Sequence, residues 1–123
     1  MAETTGKIGW VDMTVENAVE LRDFYSTVVG FKAEDVDMGG YSDFNMTMPA
    51  TGEAVAGICH ARGTNADVPP GWLVYFVVND VDASAAACVA SGGTLLVEPK
   101  GTGGGRTCVI RDPAGATAAL YQP

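Results

Sequence analysis

The stretch Gly71-Trp72-Leu73-Val74-Tyr75-Phe76-Val77-Val78-Asn79-Asp80, continued by an alanine-rich segment that stops at Gly92-Gly93, decides the fold of this chain. A run of β-branched and aromatic residues of strand length meets Asn79-Asp80, which are residues that cap helices, and the alanines then propagate a helix until the glycines end it. It reads as a strand feeding a helix.

Working outward, the same unit occurs earlier. Residues 8–15 alternate with period two, Val11, Met13 and Val15 on one face and Ile8, Trp10, Asp12 and Thr14 on the other, which is a strand. Asn17 then precedes Ala18, Leu21, Tyr25 and Val28 at helical spacing, with Glu20 three residues after Asn17 as in a capping box, and Gly30 ends the helix. Three further strands follow at residues 31–38, 41–48 and 53–61, separated by Gly39-Gly40 and by the turn at residues 49–52. After the opening stretch, strands are expected at 94–98, 106–111 and 116–121, the last two joined by Asp112-Pro113-Ala114-Gly115. Subtracting 63 carries Val78 onto Val15, Asp80 onto Asn17, Gly93 onto Gly30 and Gly115 onto Gly52. The fold class is therefore α+β, two tandem βαβββ modules: module one at 6–61, a polar, proline-bearing linker at 62–70, and module two at 71–123.

Composition bounds the function. A chain of 123 residues with 47% hydrophobic content can bury one core. Fifteen acidic against seven basic residues give a formal charge of −8, which disfavours nucleic acid and anionic membrane surfaces as partners. No apolar run approaches the roughly 20 residues of a transmembrane helix, and the first residues lack a signal-peptide pattern, so a cytoplasmic location is expected. Cys59, Cys88 and Cys108 have no C-x-x-C spacing and read as reduced core thiols. Cys59 and His60 are neighbours on one strand and point to opposite faces, which argues against a nucleophilic pair.

These motifs resemble the vicinal oxygen chelate superfamily, the glyoxalase, bleomycin-resistance and extradiol dioxygenase group. Phe24-Tyr25 ahead of Gly30-Phe31 is similar to its F-Y-x(3,4)-L-G-F segment, with Val29 where Leu is usual. Asp112-Pro113-Ala114-Gly115 is similar to its D-P-x-G turn, and Gly92-Gly93 with Pro99 beyond resembles the A-x-x-G-G pattern of the second module. The resemblance implies modules that form an open curled sheet around a central pocket. It also implies homodimers, and in many members a divalent ion on four inward residues of the first and last strands. Seven residues before the helix caps stand Trp10 and Leu73, and four after the turn glycines stand Ala56 and Ala119. None of the four has a side-chain donor for a metal. His60, Asp12, Asp43 and Glu53 are the nearest other candidates and form no tight ligand spacing, so neither a metal nor another cofactor is expected.

Residues in step with these four, namely Asp12, Thr14, Ile58, His60, Tyr75, Val77, Thr117 and Tyr121, are expected to line the pocket. The out-of-step set, Val11, Met13, Val15, Val74, Phe76, Val78, Ala118 and Leu120, is apolar and suits a face packed on helices. The glycine-rich run 101–105 lacks a phosphate-loop ending and reads as a loop between strands. Glu34, Asp35 and Asp37 read as a solvated acidic face. Two small-molecule functions follow, beside a partner-binding or structural role in which the cavity is vestigial. One is a metal-independent protein that sequesters a small aromatic or cationic molecule among Trp10, Asp12, Tyr75 and Tyr121, with the rings stacking on it. The other is a metal-independent isomerase or lyase in which Asp12 is the base and Tyr75 or His60 the proton donor.

Overall fold

The computed structural model describes residues 3–102 and 104–123. Its elements run β1 (Ile8–Val15), α1 (Ala18–Val29), β2 (Lys32–Asp37), β3 (Ser42–Thr47), β4 (Ala54–His60), β5 (Trp72–Val77), α2 (Val81–Ala90), β6 (Thr94–Thr102), β7 (Gly105–Arg111) and β8 (Thr117–Gln122). Strand, helix and three strands thus occur twice. The linker contains a single 3-10 turn, Gly63–Asn65. Among the described residues, no helix is long and apolar enough to cross a membrane.

The chain divides into two compact units, Val11–Trp72 and a second made of Leu73–Pro123 with the residues up to Trp10. In the first, the strand order is β2-β3-β4-β1, with β1 parallel to β4 and the other pairs antiparallel. Its core is Ala18 of α1 against Phe44, Met46, Ala56 and Ile58, joined by Val15, Leu21, Tyr25 and Trp72. Tyr25 packs edge-on against Trp72, with ring centroids 5.0 Å apart, and its hydroxyl accepts the Trp72 indole N–H at 3.1 Å. In the second unit the order is β5-β8-β7-β6, and the start of the chain joins β5 through Gly6 N–H to Val77 O and Val77 N–H to Lys7 O, both 2.8 Å. Its core sets Val81 and Ala85 of α2 against Cys108 and Leu120, with Val78, Leu95 and Ile110 beside them.

The helix ends show how far local chemistry is repeated. Asp80 caps α2 by accepting the N–H groups of Asp82 and Ala83 at 3.0 and 3.1 Å. Asn17 makes no such bond, its amide donating instead to the Glu20 carboxylate at 2.8 Å, so the expected capping box is not closed onto the backbone. Gly30 ends α1 in the left-handed conformation, at φ 92°. In the second module that conformation falls to Gly92, at φ 94°, and not to the offset partner Gly93. Gly93 serves close packing, since a Cβ there would stand 3.0 Å from the Arg111 carbonyl oxygen and also meet the Cys88 sulfur. β6 runs four residues past its expected end, through Pro99, and register shifts against β7 between Leu95 and Lys100 accommodate the missing N–H.

Candidate functional site

Residues directly paired in a sheet project to the same face, so the register decides what meets at the site. β1 pairs with β4 as Asp12 with Gly57, Met13 with Ile58, Thr14 with Cys59 and Val15 with His60. β3 pairs with β4 as Phe44 with Ile58, Asn45 with Gly57 and Met46 with Ala56. Ala56 and Ile58 therefore share the face of Phe44 and Met46, which packs on α1. Asp12 and Thr14 share the opposite face with Asn45, Gly57 and Cys59. The expectation that Ala56, Ile58 and His60 lie in step with Asp12 is not met.

The cause is one residue. The β3–β4 register shifts between Met46 and Thr47, whose partners are Ala56 and Ala54, leaving Val55 as an extra residue on β4. β8 carries no such insertion, and its pairing with β7 runs without a shift from Arg106 opposite Gln122 to Arg111 opposite Thr117. Beyond the bulge the two modules are thus one residue out of step. Thr14 pairs with Cys59 while Val77 pairs with Tyr121, so Cys59 corresponds to Tyr121 and Gly57 to Ala119.

The face so defined in the first unit is polar and buried. Asp12 is 9% exposed and Thr14 4%, and Asp43, two residues before Asn45 on β3, is 5% exposed. Burial, then the charges of Asp12 and Asp43, push the Cys59 thiol up to about 12 from its ordinary 9.0. Cys59 is consequently a protonated thiol that reports the negative potential of this face, not a nucleophile. His60 is held elsewhere. Asp43 accepts its backbone N–H at 2.9 Å and stands 3.2 Å from its ring Nδ1, while Tyr41 and Phe44 enclose the ring with centroids at 5.5 and 6.0 Å. The Arg62 guanidinium covers Tyr41 in turn, 3.8 Å from the ring centroid.

In the second unit the expected faces hold. Tyr75 pairs with Ala119 and Val77 with Tyr121, while Leu120 and Val78 turn to the α2 core. Leu73, Val77 and Ala119 are buried, and Tyr75, Tyr121 and Trp10 are half-buried. Tyr121 has a structural contact as well, its hydroxyl donating to the Gly104 carbonyl at 3.4 Å. Phe76, expected among the helix-packed residues, is 39% exposed.

The metal-ligand positions implied by the resemblance become Trp10, Leu73, Ala119 and, after the bulge, Gly57 in place of Ala56. No side chain among these, with either residue in the fourth place, has an atom to give a divalent ion. Among the described residues no three His, Cys, Asp or Glu side chains gather as a metal-binding group. The donor set does not fit a resident metal. Cys59, which unbroken alternation along β4 puts off this face, was hidden by the bulge, for which Ala54-Val55-Ala56 gives no glycine or proline signal.

Residues 7–120 match the sequence profile of the Glyoxalase/Bleomycin resistance protein/Dioxygenase superfamily. The anthracycline biosynthesis protein DnrV of Streptomyces peucetius is 33% identical over 98% of this chain and 44% of its own length. DauV of Streptomyces sp. strain C5, also named an anthracycline biosynthesis protein, is 35% identical over the same shares. The chain thus spans about half the length of these curated relatives. Methylmalonyl-CoA epimerase from Mycobacterium tuberculosis is similar in fold, with a TM-score of 0.52 and 20% identity over 100% of this chain and 92% of that one. On the profile match and these relatives, the chain belongs to the glyoxalase/bleomycin resistance protein/dioxygenase superfamily.

Proposed function

We propose that this protein binds a small aromatic or cationic organic molecule without the help of a metal ion, holding it and not transforming it. The observation that carries this reading is the burial of Asp12 and Thr14 on the face of β1 turned away from α1. Sheet faces that merely complete a core are apolar, as the opposite face of the same strands is here. A buried carboxylate and hydroxyl suit recognition of a polar or charged group on a ligand. Trp10, two positions before Asp12 on the same side of β1, supplies an aromatic surface. The names of DnrV and DauV associate those relatives with anthracycline biosynthesis, which supports a planar fused-ring aromatic as the ligand class.

The test is thermal unfolding with 1,8-dihydroxyanthraquinone as probe, before and after treatment with a chelator, in the wild type, Trp10→Ala and Asp12→Asn. At a ligand concentration of about 100 times Kd the expected stabilisation is about 2.7 kcal/mol, or roughly 8–15 °C for a domain of this size. The shift should survive chelation and fall in both variants. A shift that disappears with the chelator, or that both variants keep in full, sinks the reading. Recovery of the probe chemically altered would replace sequestration by the isomerase or lyase alternative, with Asp12 as the base. His60 is the less suited donor in that alternative, since its register partner Val15 is out of step with Asp12.

A further inference from the structure

Between the corner where β1 passes into α1 and the linker that follows β4 lies a cleft of about 330 Å³, wholly within the first unit. It is at the lower end of the volumes of small-molecule sites. The cleft is a built feature. Ala61 N–H bonds to Val15 O at 2.9 Å and closes its base, and successive turns from Arg62 to Val68 hold the linker, with Ala66 N–H on Gly63 O and Val68 N–H on Asn65 O. One wall is apolar, from Ala66, Val68 and Pro70. The other carries Thr14, Glu16 and Asn17.

The polar wall is rich in acceptors. Glu16 is an exposed carboxylate, and Asn17, which donates one amide N–H to Glu20, has its carbonyl oxygen available as an acceptor. Thr14 adds a buried hydroxyl. The ligand that complements an apolar wall facing a carboxylate and an amide oxygen has a hydrocarbon body and a cationic donor head. We propose that this cleft binds a small organic ammonium compound, with Glu16 and Asn17 receiving the ammonium and Val68 and Pro70 the hydrocarbon. The cleft shares Thr14 with the buried face of β1, but Glu16, Asn17, Val68 and Pro70 are not among that face's residues, and the proposal does not rest on that face binding anything. The net charge of −8 favours approach of a cation.

The experiment is an amide NMR titration of the wild-type chain with 2-phenylethylamine and with its neutral isostere 2-phenylethanol. The expected result is movement of the Val15, Glu16, Asn17 and Val68 amides, with the amine bound about two- to fivefold more tightly, as suits one solvent-exposed ion pair. Glu16→Gln should erase the preference for the amine and leave the melting temperature and any anthraquinone stabilisation as they were. Val68→Trp, which fills the cleft, should abolish the response to both compounds. Equal affinities for amine and alcohol, an unchanged preference in Glu16→Gln, or shifts confined to other amides would each overturn the proposal.

Discussion

Replacing Asp12 with Asn should lower the pKa of Cys59, and the size of the change tests which residues share a face. Asp12 pairs with Gly57, two residues before Cys59 on the adjoining strand. Strand spacing and rise put the two about 8 Å apart on one face. A unit charge at that distance, with an effective dielectric constant near 20, contributes about 2 kcal/mol, or roughly 1.5 pKa units. Burial and Asp43 remain in the variant, so the thiol should fall from about 12 to roughly 10.5–11. At pH 9 the thiolate fraction then rises about 10- to 30-fold. A weaker nucleophile offsets part of that gain, leaving exchange with 4,4′-dithiodipyridine roughly three- to sixfold faster. The assay is the rate of that exchange against pH in a Cys88→Ser background, with the midpoint of the profile as the readout. Asp37→Asn, at an exposed site on β2, should leave the midpoint in place. A midpoint that moves by less than about half a unit in Asp12→Asn would refute the bulge-shifted register and return Asp12 to the face of Ala56 and Ile58.

The remaining predictions concern stability. Asp80→Ala removes the acceptor for two helix N–H groups and should cost about 1 kcal/mol in urea unfolding, whereas Asn17→Ala should cost no more than a few tenths because Asn17 makes no cap bond. Gly105→Ala places a Cβ against the Gln122 carbonyl oxygen and 2.8 Å from the Tyr121 ring, and should destabilise by more than about 2 kcal/mol, seen as a lowered melting temperature. Because the folded-state pKa of Cys59 is raised from 9.0 to about 12, the unfolded chain releases its proton first, and stability declines as pH climbs from about 9 toward 12. Between pH 8 and 10 the wild type should lose about 1.4 kcal/mol more than Cys59→Ala, measured by urea unfolding at both pH values.

Much of the fold was legible because its punctuation is chemical. Asp80 before an alanine run, Gly30 after an apolar helix stripe, and Gly52 and Gly115 in the hairpin turns each meet a local need that few residues satisfy, and the last three adopt positive φ. What escaped were features set by pairing. The glycine at which α2 ends in the left-handed conformation is Gly92, a choice between two adjacent glycines that only the position of Cys88 against Gly93 decides. The bulge at Val55 is quieter still, since any small or β-branched residue can occupy it. Yet it inverts the side on which every later residue of β4 emerges. The strand faces were therefore half legible: Asp12 and Thr14 in the first unit and Tyr75, Ala119 and Tyr121 in the second keep their expected sides, whereas Ala56, Ile58 and His60 exchange places with Gly57 and Cys59.

That exchange has a chemical consequence for the two copies. Without the bulge, the first module would turn Ala56 and Ile58 away from its helix and offer an apolar face like that of Leu73, Val77 and Ala119. It would also bury Gly57 and Cys59 against α1, where the core now has Ala56 and Ile58 at 7% and 0% exposure. With it, the larger side chains fill the core, and Gly57 stands between Asp12 and Asn45 on the opposite face. In the second module the corresponding residue is Ala119, next to Tyr75. One added residue in one of two duplicated strands thus accounts for a polar face in the first copy, where the second keeps an aliphatic and aromatic one.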